Sequence, residues 1–99
     1  MTKVYPVIFT PCEDGGYMAT VPDFPLNTPG ENMAEAIAMA RDAIGLMGIT
    51  MQDDGQPLPE SSELDAVECT QGEIASLVDV DFDAYRRAHD NRTVRRNVT

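Results

Sequence analysis

Positive charge is scarce over most of this sequence. Residues 1–85 contain two cations, Lys3 and Arg41, against sixteen carboxylates, and their formal charge is −14. Such an acidic surface repels nucleic acid and attracts basic partners over long distances. We therefore expect the body of the chain to bind a basic macromolecule, with simple maintenance of solubility as the alternative explanation of its acidity.

Cysteine and histidine are also few. Cys12 and Cys69 are 57 positions apart and form no recognisable disulfide or redox motif, so we expect two reduced thiols that are buried or half-buried. His89 is the single histidine, and the pattern indicates no zinc site and no activated nucleophile. The sequence thus predicts no metal, no cofactor and no catalytic residue.

Long apolar runs are absent as well. No stretch of about 18 apolar residues, the length that spans a bilayer, occurs in the chain. The first residues lack the basic, apolar and small-residue segments of a secretory signal, so the expected location is cytoplasmic. The chain has 99 residues of which 42% are apolar, which predicts one small domain with one core.

The N-terminal part of the sequence predicts a β-hairpin followed by a corner. A strand over 4–10, a glycine turn over 13–16 and a second strand over 17–21 follow one another. The prolines of the Pro22–Pro25 segment remove ladder donors and fix the backbone, so the chain must turn there. Residues 26–28 can then form a short third strand.

A single amphipathic helix of about 20 residues is predicted next. Asn32 and Glu35 resemble a capping box at its start, and the residues 53–55 are a stop signal. We expect its apolar stripe to face the core: Met33, Ile37, Ala40, Ile44, Met47 and Met51. Gly45 and Gly48 weaken the isolated helix by about 1 kcal/mol each, so packing must stabilise it.

Residues 74–81 predict a fourth strand that is flanked on both sides. A strand, a crossover helix and a further strand form a right-handed unit when the two strands are parallel. The predicted fold class is therefore α+β with the order βββαβ: an antiparallel meander, one parallel strand, and one main helix packed on one face of the sheet. Residues 83–90 predict a short helix with Asp81 or Asp83 as its cap and Asn91 as its terminator.

The C-terminal residues carry the positive charge that the body lacks. Residues 86–99 hold five arginines and one carboxylate, a formal charge of +4, which is typical of phosphate contact. Residues 93–99 alternate like a strand in which Arg95, Asn97 and Thr99 share one face. Because an isolated strand is unstable in water, we expect it to pair with another copy or the natural protein to continue past Thr99.

Five segments are informative through their order and spacing: Tyr5-Pro6-Val7-Ile8-Phe9, Asp14-Gly15-Gly16-Tyr17, Val21-Pro22-Asp23-Phe24-Pro25, Gly30 with Glu35-Ala36, and Val78-Asp79-Val80-Asp81. Together they resemble the HicB family of bacterial antitoxins, and the resemblance covers nearly the whole chain. The residues from Tyr85 to Thr99 are similar to that family's junction into a ribbon-helix-helix DNA-binding module. One difference is Leu26-Asn27, which stands where the family usually has Gly-Cys.

The resemblance implies a partial ribonuclease-H-like domain that binds and blocks HicA, a small basic messenger-RNA interferase, and repression of the operon by the C-terminal module. It divides the chain into a HicB-like toxin-binding domain at 1–81, a linker helix at 82–92 and the start of a truncated ribbon-helix-helix module at 93–99. That module needs two helices after its strand, so operator binding is expected to be weak or absent if the chain ends here. The expected assembly is a homodimer or tetramer.

The predicted sites follow from the same resemblance and from the charge pattern. The predicted toxin contacts are Asp14, Tyr17, Asp23 and Phe24, which could instead serve only the turn and the core. The predicted DNA contacts are Arg95, Asn97 and Thr99. The predicted function is that of a non-enzymatic inhibitor of an RNA-cleaving toxin.

Two other functions stay open at this stage. A ribonuclease-H-like fold could cleave RNA with two metal ions, which requires converging carboxylates. Asp79 and Asp81 share one face of a strand, but two acids on a strand do not make a two-metal site, and solvation or helix capping explains them. A generic dimerisation or regulatory module is the other alternative.

Overall fold

A computed structural model of the protein describes residues 1–89. Its central element is a four-stranded antiparallel sheet with the strand order β3-β2-β1-β4. The elements, in chain order, are β1 (Thr2–Pro11), β2 (Tyr17–Val21), β3 (Leu26–Gly30), α1 (Met33–Asp53), a 3₁₀ turn (Leu64–Ala66), β4 (Ile74–Asp81) and α2 (residues 82–89). The predicted α+β class is confirmed, and the predicted tail strand at 93–99 lies outside the described residues.

The core lies between the sheet and α1. Three alternate residues of β1 are fully buried on this face, Tyr5, Val7 and Phe9, and Pro6 between them is fully buried on the opposite face. Phe24 from the proline corner packs edge to face against Tyr5, with 4.9 Å between the ring centroids. The corner therefore closes one end of the core, and the sheet presents its other face away from α1.

The direction of β4 corrects the predicted parallel strand. β4 pairs antiparallel with β1, from Thr2 opposite Asp81 to Phe9 opposite Ile74. A helix followed directly by a strand would have given a parallel crossover. Here the connection 54–73 carries the chain back to the end of the sheet at which α1 begins, and β4 consequently runs the opposite way. Within residues 1–89, the fourth strand is also an edge strand that pairs with β1 on one side, and it is not flanked on both sides by other described strands.

Side-chain hydrogen bonds attach this connection to β1. The Tyr5 hydroxyl donates to the carbonyl oxygen of Pro59 at 2.9 Å. Near the start of β4, the Glu73 carboxylate accepts a hydrogen bond of 2.7 Å from the Thr10 hydroxyl. Both bonds join residues more than fifty positions apart, so the pattern of the 54–73 segment alone could not predict them.

Helix α1 begins and ends where the capping pattern predicts. The Asn32 side-chain oxygen accepts a hydrogen bond from the Glu35 backbone N–H at 2.8 Å, and the Glu35 carboxylate accepts one from the Glu31 N–H at 3.0 Å. The buried face of the helix is displaced relative to the predicted stripe. Its buried residues are Ala36, Ala40, Ile44, Gly45, Gly48 and Ile49, while the predicted methionines are half-buried at its border.

The two helix glycines form the contact surface for α2. A Cβ atom on Gly48 would lie 2.2 Å from the ring of Phe82, and one on Gly45 would lie 2.6 Å from the ring of Tyr85. Asp81 accepts a hydrogen bond from the Ala84 N–H, which confirms Asp81 as the cap of the short helix. The glycines that weaken α1 in isolation thus let α2 pack closely against it.

Two further expectations concern the exposure of the cysteines and the presence of membrane-spanning helices. Both cysteines are free and exposed, so the expectation that Cys12 and Cys69 are buried or half-buried is wrong. Cys12 follows β1 directly and Cys69 lies in the 54–73 connection, and neither side chain reaches the core. Within residues 1–89, no helix has the length and apolar character needed to cross a bilayer.

Replacement of Gly48 by Ala is expected to lower the free energy of unfolding by about 1 to 3 kcal/mol, because the added methyl group collides with Phe82. Helix propensity alone would change stability in the opposite direction by about 1 kcal/mol. Urea denaturation measures the difference. The Gly48→Ala/Phe82→Leu double variant is the control, since a smaller ring should relieve part of the collision. A more stable Gly48→Ala protein would contradict the packing of α2 on α1.

Candidate functional site

The described residues have a strong excess of negative charge at their surface. Besides the N-terminus, residues 1–89 contain four Lys and Arg side chains. Arg41 and Arg86 each form a salt bridge with a carboxylate, whereas Lys3 and Arg87 have no carboxylate within salt-bridge distance. Arg86 lies 2.9 Å from an Asp53 carboxylate oxygen and joins α2 to the end of α1. Most of the sixteen carboxylates of residues 1–85 therefore face solvent without a cationic partner.

An acidic cleft lies where the β1–β2 hairpin meets the end of β3 and the start of α1. It has a volume of about 550 Å³ and is lined by Asp14, Glu31, Glu35 and Met39, among others. The hairpin approaches β3 closely, because a Cβ atom on Gly16 would lie 2.6 Å from the carbonyl oxygen of Gly30 in its wall. This cleft combines carboxylates with an exposed methionine and could accept basic side chains of another protein.

The four predicted toxin contacts lie in different environments. Asp14 lines the acidic cleft, where its carboxylate also accepts a hydrogen bond from the Gly16 N–H at 3.1 Å. Tyr17 is half-buried and packs against the core. Phe24 is 2% exposed and belongs to the core itself. The structure therefore brings Asp14 to an accessible surface and places Phe24 inside the fold.

Asp23 attaches the 54–73 connection to the proline corner. Its carboxylate accepts hydrogen bonds from both the backbone N–H and the hydroxyl of Ser62, the former at 2.8 Å. This carboxylate is thus committed to a contact within the fold, and a role for Asp23 or Phe24 in binding a partner would act through the shape of the corner. The contact role of all four residues stays a prediction.

A second surface, along β4, was not among the predicted sites. Ile74 and Leu77 are 48% and 50% exposed, and Val4 on the neighbouring strand is 40% exposed. The apolar run of residues 74–78 is a signal for this surface, but such a run also predicts a strand that is flanked on both sides. β4 is the outermost strand of the described sheet, and its Ile74 and Leu77 side chains are about half exposed there.

The carboxylates of β4 are occupied by local hydrogen bonds. The Arg41 guanidinium donates to the carboxylate and to the backbone carbonyl of Asp79, at 2.9 and 2.8 Å, and this contact holds the pKa of Asp79 below its ordinary value. The hydrogen bond from the Ala84 N–H lowers the pKa of Asp81. Within residues 1–89, no group of three or more acids, histidines or cysteines could hold a metal ion.

These features define a class of protein: a small α+β domain whose exposed surface is acidic and apolar and suits the binding of another macromolecule. A family model described as the HicB_like antitoxin of bacterial toxin-antitoxin systems matches residues 5–99. The chain belongs to this family.

Comparisons with individual proteins agree with the family. The chain is 38% identical over 63 residues to Antitoxin HicB of Escherichia coli strain K12 and, equally, of Escherichia coli O157:H7. The matched region is 63% of this chain and 46% of each relative, so the chain spans about half the length of the curated relatives that it matches.

Two solved structures have the same fold. One is a toxin-antitoxin complex from Streptococcus pneumoniae, with a TM-score of 0.77 and 22% identity over 86% of this chain and 73% of that one. The other is a HicA3 and HicB3 toxin-antitoxin complex, with a TM-score of 0.65 and 20% identity over 80% of this chain and 99% of that one.

Replacement of Arg41 by Gln is expected to raise the pKa of Asp79 toward its ordinary value, as measured by NMR titration of the carboxyl group. The folded pKa of Asp79 is lowered, so the pair stabilises the protein above the unfolded pKa, and this stabilisation is lost as the pH falls through the folded pKa. The variant should therefore lose more stability at neutral pH than in strong acid. Asp81 is the control, because its main hydrogen bond comes from Ala84. An unchanged Asp79 pKa would contradict the pairing.

Proposed function

We propose that this chain is an antitoxin that binds a basic, HicA-like messenger-RNA interferase and blocks it by covering its surface, without catalysing a reaction. The observation that supports this function most directly is the match of the HicB-like antitoxin family model over residues 5–99. The shared fold of two chains from toxin-antitoxin complexes supports the same conclusion.

The charge of the body gives this function a physical basis. A protein that cleaves RNA must bind a polyanion, so its RNA-binding surface is rich in Lys and Arg. The carboxylates of residues 1–85 can occupy those cations in place of phosphates, and long-range attraction accelerates the encounter. An apolar contact at the centre of the interface then keeps RNA and water out.

Within this proposal, the four predicted contact residues have two roles. Asp14 lines the acidic cleft, and Tyr17 follows Gly16 of its wall in sequence; both would contact the toxin. Asp23 and Phe24 would act indirectly, since they hold the proline corner and the core in place. The partial ribonuclease-H-like classification implied by the resemblance stays a prediction.

Metal-dependent RNA cleavage is the less favoured alternative. It would need the carboxylates of Asp79 and Asp81 to converge on divalent cations. Asp79 instead pairs with Arg41, and Asp81 accepts the hydrogen bond that caps α2. Both carboxylates thus have local partners that a metal ion would have to displace.

The test of the antitoxin function is co-expression of this chain with the small basic protein encoded next to it. We expect that protein to arrest growth when it is expressed alone, and this chain to restore growth and to co-purify with it as a stable complex. Toxicity that this chain leaves unchanged would refute the proposal. Incubation of the purified chain with RNA and Mg²⁺ or Mn²⁺ is the control, and no cleavage is expected.

We also propose that the C-terminal residues belong to a DNA-binding module that represses the operon, and that the assembled antitoxin is a homodimer or tetramer. The support is the +4 charge of residues 86–99 and the resemblance to a ribbon-helix-helix junction. The predicted contacts Arg95, Asn97 and Thr99 lie outside the described residues.

For the chain of 99 residues, a mobility-shift titration against the DNA upstream of its gene is expected to give weak binding that falls steeply with salt, because arginine contacts to phosphate release counterions. Replacement of Arg95 and Arg96 by Ala should weaken this binding, whereas Arg41→Ala in the body should not. Binding that is independent of both salt and these arginines would contradict the proposal.

A further inference from the structure

The outer side of β4, which faces away from β1, exposes backbone hydrogen-bonding groups. The Phe82 N–H donates to the carbonyl oxygen of Met1 at 3.0 Å, which continues the ladder between β4 and β1. Backbone groups in an antiparallel strand alternate in direction, so the even-numbered residues of β4 bond to β1. The odd-numbered residues, among them Ala75 and Leu77, therefore direct their N–H and C=O groups to the open edge.

One position of this edge is already occupied. Arg41 donates to the carbonyl oxygen of Asp79, which agrees with the alternation and blocks strand pairing at that residue. Charged side chains are a common protection against unwanted pairing at a sheet edge. Within residues 1–89, no comparable hydrogen bond reaches the outward backbone groups of Ala75 or Leu77. The outward backbone groups without a described partner are thus confined to the first half of β4, and we call this part of the strand the open edge. The 3₁₀ turn Leu64–Ala66 also lies close to β4.

The exposed apolar side chains favour a strand as the occupant of this edge. Ile74 is on the same face of the sheet as its partner Phe9, whereas Leu77 is on the opposite face with Pro6. Each of these two β4 side chains is about half exposed. A partner that packed on one face of the sheet would cover only one of them, but a strand added at the edge contacts both faces.

The charge around β4 selects the kind of strand. Residues 73–83 contain no Lys or Arg, and their carboxylates belong to Glu73, Asp79, Asp81 and Asp83. The N-terminal ammonium group and Arg41 offset part of this charge. A second copy of this chain would bring the same carboxylates into the interface, and like charges across paired strands are destabilising. A strand that carries Lys or Arg is complementary.

From these observations we propose that an extended strand of the basic toxin pairs with the open edge of β4 at Ala75 and Leu77 and adds a fifth strand to the sheet. This inference rests on the proposed antitoxin function. It assigns the main-chain part of the interface to β4, whereas the acidic cleft at the start of α1 lies at a separate position.

The test uses the full chain and the small basic protein encoded next to it, with Leu77→Pro as the informative variant. Proline removes the outward N–H of residue 77 without removing a hydrogen bond to β1, and edge strands accept proline at such positions. We expect the Kd for the basic protein to rise at least tenfold. Leu77→Ala keeps the N–H and should have a smaller effect, and Leu46→Ala, at an exposed leucine of α1, should have none. An unchanged Kd for folded Leu77→Pro would overturn the proposal.

Amide hydrogen exchange of the wild-type chain gives a second measurement that does not depend on the folding of the variant. The Ala75 and Leu77 amides should exchange rapidly in the free chain and become protected when the basic protein binds. Binding without added protection at these two amides would overturn the edge pairing and leave the antitoxin function intact. If the protection of these two amides rises with the concentration of the chain alone, the occupant of the edge is a second copy, and this result would also overturn the proposed pairing with the toxin. Failure of the wild-type chain to bind the basic protein would refute both.

Discussion

Repulsion between carboxylates is the constraint on which the rest of this structure depends. A chain of 99 residues with a formal charge of −10 has to fold around a small core while its acids repel one another. Many carboxylates of the fold have a neutral local donor: Asp14, Asp23, Glu35, Glu73 and Asp81 accept hydrogen bonds from backbone N–H groups. Of these five, Asp81 also lies within salt-bridge distance of the N-terminal ammonium group. These bonds fasten turns, caps and the long connection.

The same hydrogen bonds keep the surface negative. The backbone N–H of Thr70, together with the Thr10 hydroxyl, lowers the pKa of Glu73, so this carboxyl stays ionised to a lower pH than an ordinary glutamate. A neutral donor satisfies a carboxylate without cancelling its charge, whereas a salt bridge would cancel it. The acids therefore stabilise local structure and at the same time keep the negative electrostatic field that would attract a basic partner. Local stability and a negative surface are thus compatible.

Local patterns in the sequence predicted the elements whose determinants are local. The hairpin turn, the Asn32 cap, the end of α1 at Asp53 and the bounds of β4 all depend on neighbouring residues, and the structure confirms them. The direction of β4 was predicted wrongly because it depends on the path of the 54–73 connection. That path is fixed by distant contacts, such as the one between Tyr5 and Pro59.

The candidate site shows the same limit. Asp14 was predicted as a contact from the resemblance and the charge pattern, and it does line an accessible cleft. Phe24 was predicted in the same way, but its side chain packs in the core. From the sequence, Gly45 and Gly48 are expected only to lower the stability of the helix. Nothing in the neighbouring residues indicates that the rings of Tyr85 and Phe82 pack against them. Residues that act through tertiary contacts thus have no signature in the pattern of one segment.

Main-chain pairing and charge contribute differently to recognition by such a domain. Hydrogen bonds along a strand edge give affinity but little discrimination, because every partner strand offers the same backbone groups. In the arrangement proposed above, the carboxylates that flank β4 would supply the discrimination, since they would favour a strand that carries Lys or Arg over a second copy of the chain. The Arg41–Asp79 pair occupies the outward carbonyl of Asp79, so a partner strand in the proposed arrangement would pair with the first half of β4. An acidic domain in which only a short part of a strand edge is free for pairing can therefore select one basic partner without an enzymatic site or an elaborate pocket.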